Sequence, residues 1–140
     1  MAQPISPRDT QGWPKVDESI QQLRERFRSA SSIADYKDVG NRCVGVLEAL
    51  SATVYISKID CPEGSTPPSI EKTYIRIGAC IDRRLPGPSN YELRGLVKQA
   101  SALAHKMKHS PRADRTSMGI AADSIMLANI LRRLQGPAIA

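Results

Sequence analysis

The sequence predicts an all-α protein: a four-helix bundle with an additional N-terminal helix. Three observations carry that expectation. Apolar side chains return at three- and four-residue steps along five separate segments, the spacing of one helix face. Clusters of Pro, Gly and Ser, such as KIDCPEGSTPP and LPGPSN, part the segments. The one β-branched run, Thr53–Ile59, is short and has no partner strand. At 140 residues the chain is one domain's worth of sequence. It divides into a flexible arm over residues 1–12, a single helical domain over 13–136 and a tail over 137–140.

The first helix starts at Trp13–Pro14, because the missing N–H of proline would go unpaired in a first turn anyway. Val16, Ile20, Leu23 and Phe27 form its stripe, and Arg24, Glu25, Arg26 and Arg28 fill the wet face. Ser32 caps the second helix, with Asp35 in its first turn. Tyr36, Val39, Cys43, Leu47, Leu50 and Val54 line it as far as about Ile56. Gly40 and Gly45 inside it are read as points of close packing. Residues 58–68 are a loop by composition. Ser69 caps the third helix, whose face is Ile70, Tyr74, Ile77 and Ile81, with Arg83 and Arg84 at its C-terminal end. Ser89 and Glu92 make a capping box for the fourth. Its apolar positions are Leu93, Leu96, Val97, Ala100, Leu103, Ala104 and Met107. The fifth begins near Thr116 or Ser117 with Ile120, Ser124, Leu127, Ala128, Leu131 and Leu134 on its face, and Gly136–Pro137 stops it.

No apolar run approaches the roughly 18–20 residues that span a bilayer, and the N-terminus has no apolar stretch of the secretory kind. The three cysteines are odd in number and lack CxxC spacing, which speaks against a disulfide framework or a cysteine zinc site. The expectation is a cytoplasmic protein with no membrane contact and no cofactor. Charge is uneven. Residues 1–71 hold 8 Lys+Arg against 10 Asp+Glu, and residues 72–140 hold 12 against 4, in a chain of net charge +6. A basic half points to an anionic partner, of which nucleic acid is the commonest, or to a solvated surface.

The only two histidines, His105 and His109, stand four apart in ALAHKMKHSPRADR, so they share a helix face. Lys98, Lys106, Lys108, Arg112 and Arg115 surround them. HxxxH could supply two zinc ligands, but no carboxylate is adjacent and the lysines repel a cation, so no metal is expected. Cleavage beside a 2′-hydroxyl needs a base, an acid and cations for the developing charge, and this stretch holds all three. The structural alternative is a helix end whose cations meet the exposed carbonyls. Asp123, on the last helix, is a candidate to orient an imidazole. A helix-turn-helix reading of HSPRADRTS fails on the apolar character of GIAADSIMLANIL, since a recognition helix needs a polar face.

The segments WPKVDESIQQLRERFRSAS, DYKDVGNRCVGVLEALSATVY, NYELRGLVKQASALAHKMKH and GIAADSIMLANILRRL, in that order and with the Pro/Ser loop between the second and third, resemble the bacterial abortive-infection-type HEPN domains of phage-defence proteins. The resemblance covers roughly residues 13–134. It implies a helical bundle that forms a homodimer and acts on RNA, as a metal-independent endoribonuclease or as a binder. It carries His109 over as the family's histidine and His105 as the polar residue four before it. The family's arginine, separated from the histidine by four to six intervening residues, is absent here. Lys98 has the longest of those spacings from His105, and Arg112, Arg115 or an arginine of a second subunit could take the role. The alternative from another class is a non-catalytic dimerisation or adaptor module that docks on a separately encoded partner protein.

Overall fold

The computed structural model describes residues 13–69, 72–110, 113–126, 129 and 132. Among them there are six α-helices and no strand: α1 Trp13–Ser29, α2 Ile33–Val54, α3 Ser57–Asp60, α4 Thr73–Arg84, α5 Tyr91–Lys108 and α6 Arg115–Met126. The all-α expectation holds: Thr53 and Val54 end α2, Ser57–Ile59 lie in α3, and the β-branched run opens no strand. The arm, the tail, Ile70, Arg112, Leu127, Ala128, Leu131, Leu134 and Gly136–Pro137 lie outside the described residues. No helix among the described residues is long and apolar enough to cross a membrane.

Helix α1 buries Trp13, Val16, Ile20 and Leu23, and Phe27 is half-buried, as the four-three-four spacing predicts. The Tyr36 hydroxyl donates to the Ala30 carbonyl at 3.1 Å and ties the α1–α2 turn to the core. Ser32 closes a full capping box on α2: its oxygen accepts from the Asp35 N–H at 3.1 Å, and the Asp35 carboxylate accepts from the Ser32 N–H at 3.2 Å. Helix α2 buries Val44, Val46 and Ser51 beside the expected stripe. It does so because it packs against α1, α4, α5 and α6 together, and a helix with four neighbours has little wet face left.

The Asp35 carboxyl is held well below the ordinary carboxylate range. The Ser31 backbone N–H is the largest cause, followed by the Arg26 guanidinium and the Ser32 N–H. A carboxyl depressed by folding stabilises the domain above its unfolded value of about 4, and that contribution is lost as pH falls below it. Urea midpoints measured from pH 7 to pH 3 should therefore drop less steeply for Asp35→Asn than for the parent chain.

Four local expectations need correction. The segment read as a loop from Lys58 contains the single turn α3. Ser69 does not cap α4: a turn closes from Ser69 to Lys72, and the helix starts at Thr73 without a side-chain cap. Thr73, Ile77, Cys80 and Ile81 are its buried face, and Tyr74 is 60% exposed. The Ser89–Glu92 box is not formed; Pro88–Asn90 is a 3-10 turn, and Asn90 precedes α5 with no side-chain cap. Helix α6 begins at Arg115 because Asp114 caps it, accepting from the Ser117 N–H at 2.8 Å.

The inward face of α6 is Met118, Ala121 and Ile125, with Ile120 53% exposed, and Leu96 on α5 is 46% exposed. On α6 the inward row is offset from the expected one, whereas on α5 Val97, Ala100 and Ala104 are buried as expected and Leu96 lies at the edge of the stripe. The two glycines of α2 also differ. A Cβ on Gly40 would lie 3.0 Å from the Lys108 Cα, so α2 and α5 do touch there, but Gly45 has nothing within 4 Å. No disulfide joins the three cysteines; Cys43 and Cys80 are buried, and burial pushes the Cys43 thiol up to about 12.

Candidate polyanion-binding site

The histidines sit where α5 runs out. Val97, Ala100, Ser101 and Ala104 are buried, which turns Lys98, His105, Lys106 and His109 outward. The helix closes through His109 and Ser110 N–H bonds to the Lys106 and Met107 carbonyls, at 3.1 and 3.2 Å. Cations near those last carbonyls are favourably placed. The two imidazoles meet edge to face with centroids 5.7 Å apart. Both are exposed, and neither accepts nor donates a side-chain hydrogen bond among the described residues.

The end of the molecule that carries them is short of free carboxylates. Gly40 packs on Lys108, Arg26 bonds Asp35 and Asp38, and Gly119 packs on Phe27. These contacts bring the C-terminal ends of α1 and α5 and the N-terminal ends of α2 and α6 to one end of the domain. The acids there are engaged: Asp35 and Asp38 each lie 2.7 Å from the Arg26 guanidinium, and Asp114 caps α6. Its capping bond to Ser117 holds the Asp114 carboxyl below the ordinary range. Glu25 lines a different cleft, with Arg26 and Arg42. Among the described residues no carboxylate pairs with Lys106, Lys108, Arg24, Arg28 or Arg115.

The expected site residues are only partly brought together. His105, Lys106, Lys108 and His109 form one tip. Lys98 shares the outer side of α5 with them, but its ammonium lies 2.8 Å from Asp82, with its Cε beside Gly78 of α4. Arg115 turns away toward α1, its guanidinium 4.9 Å from the centre of the Phe27 ring. Asp123 does not reach an imidazole; it lines a cleft between α1 and α6 with Arg24, Phe27, Arg28 and Arg115. Arg24 and Arg28, wet-face residues by sequence, line that cleft as well. Their i, i+4 spacing beside Phe27 is the signal that marks them. Among the described residues no three His, Cys, Asp or Glu side chains cluster as a metal site would require.

No protein-family model, curated protein or solved structure gives a significant match to the chain.

Proposed function

We propose that this chain is an RNA-acting helical domain of the HEPN-like kind, binding phosphate through the tip of α5. One observation carries the reading. Two imidazoles stand edge to face at 5.7 Å beside Lys106 and Lys108, and among the described residues no carboxylate pairs with those lysines. In the catalytic form of the reading, one imidazole takes the 2′-hydroxyl proton and the other protonates the departing 5′-oxygen. The lysines hold the phosphate, and a cyclic phosphate end is left. His109 is the proposed principal residue and His105 its assistant.

In a single chain both rings face water. A homodimer seated on the outer side of α5 would enclose them, and Tyr91 at 70% and Leu96 at 46% exposure give that side apolar surface to bury. The same surface supports the adaptor reading, with a partner protein in place of the second copy. Labelled RNA incubated in EDTA distinguishes them. The catalytic reading expects cleavage, reduced at least about a hundredfold by His109→Ala. Intact RNA at every protein concentration would leave binding alone. RNA affinity that falls steeply with salt, and falls further in Lys106→Ala/Lys108→Ala, supports phosphate binding at the tip. Affinity insensitive to both overturns it.

A further inference from the structure

We infer that the trough between α1 and α6 receives an acidic amphipathic helix of a separate partner protein. Two clefts make the trough, of about 410 and about 630 Å³, and they share Arg24 and Met126. It follows α1 from Asp17 to Arg28, roughly 16 Å at about 1.5 Å per residue, or three turns of a helix. That is long for a small molecule. The floor is Ile20, Leu23, Phe27, Ala122 and Met126, and Gly119 keeps it deep against the Phe27 ring. A phosphodiester backbone has nothing to bury on such a floor, whereas the apolar stripe of a helix does.

Charge sets the sign of the occupant. Arg24 and Arg28 stand one turn apart on one wall, and Arg115 faces them from the other. Three other arginines pair with acids: Arg26 with Asp35 and Asp38, Arg83 with Asp60, and Arg132 with Asp17. The three at this end of the trough have no carboxylate partner among the described residues, and Asp123 is the one acid lining the trough there. At the far end Asp17 and Arg132 neutralise each other. Residues 124–140 contain no Asp or Glu. A helix with apolar residues at i, i+3 or i+4, and i+7, flanked by Asp or Glu, fits both floor and rim. The site is separate from the α5 tip, since Lys106, Lys108 and the histidines do not line it.

The test selects displayed random peptides of about 16 residues on the full chain and measures the enriched peptides by fluorescence anisotropy. The expected winners carry acids beside apolar residues at helical spacing. Arg24→Glu/Arg28→Glu should weaken them at least about tenfold, because exposed charges are reversed at the rim. Lys106→Ala/Lys108→Ala should leave them unchanged even if RNA binding is lost. Circular dichroism confirms that both variants fold. Three results would overturn the inference: no acidic amphipathic pattern among the winners, equal affinity for the reversed-charge variant, or displacement by an RNA whose own binding needs Arg24 and Arg28. The last would assign the trough to nucleic acid.

Discussion

Replacing Gly40 with leucine is expected to destabilise the domain by about 2–3 kcal/mol, the cost of forcing extra carbon into a close-packed contact. The position leaves no room even for a methyl group. A Cβ there would stand 3.0 Å from the Lys108 Cα, 3.4 Å from the Lys108 nitrogen and 3.6 Å from the Met107 carbonyl oxygen. All three are backbone atoms, so no rotamer change relieves the crowding; α5 itself must move. The end that moves carries His105 and His109, so RNA binding at the tip should weaken along with stability. Gly45→Ala provides the contrast. Nothing lies within 4 Å of its Cβ, and removing the flexibility of glycine from a helix should add up to about 1 kcal/mol. Urea denaturation of the two variants checks both signs. A leucine at 40 that left the midpoint unchanged would mean that α2 and α5 do not touch as described.

Asp60→Ala should cost about 3 kcal/mol, the scale for removing one partner of a buried ion pair. The Asp60 side chain is 2% exposed and that of Arg83 21%. Its two oxygens accept from the Arg83 Nε at 2.7 Å and from the Arg83 Nη2 at 3.2 Å, and one also accepts from the Ile56 N–H at 2.8 Å. The hydrogen-bonded carboxylate raises the Arg83 pKa above its ordinary value. Alanine removes all of this and leaves a half-buried cation without its counter-charge. Combining Asp60→Ala with Arg83→Met should recover much of the loss, because an apolar side chain has no charge left to desolvate. A double-mutant cycle measures that recovery directly. If the double variant is no more stable than Asp60→Ala alone, the loss comes from the opened α3 turn and not from the stranded guanidinium.

Much of the helical layout was legible because periodicity is a direct image of burial. Val16, Ile20 and Leu23, or Tyr36, Val39, Cys43, Leu47, Leu50 and Val54, are spaced as one side of a helix and are buried as one. The reading failed where two adjacent rows were both compatible with a helix. Tyr74 and Ile120 fit an apolar spacing, yet Thr73 and Ala121 beside them are the buried residues. Tertiary packing favoured the smaller residues because they let neighbouring helices approach. Caps were legible at Ser32, where box and periodicity agree, and misleading at Ser69 and Ser89, where a turn uses the backbone first. The candidate site was half legible. An i, i+4 histidine pair is a local fact, and the tip follows from it. The partners of Lys98, Arg115 and Asp123 come from α4 and α1, tens of residues away in sequence, and no spacing rule reaches that far. The same distance hid the convergence of Arg24, Arg28 and Arg115.

The central position of α2 has a thermodynamic consequence. With α1, α4, α5 and α6 all resting on it, no subset of helices keeps a core once it frays. The domain is therefore expected to melt as one cooperative unit, with damage to a peripheral helix registering as a lower midpoint of a single transition and not as a second one.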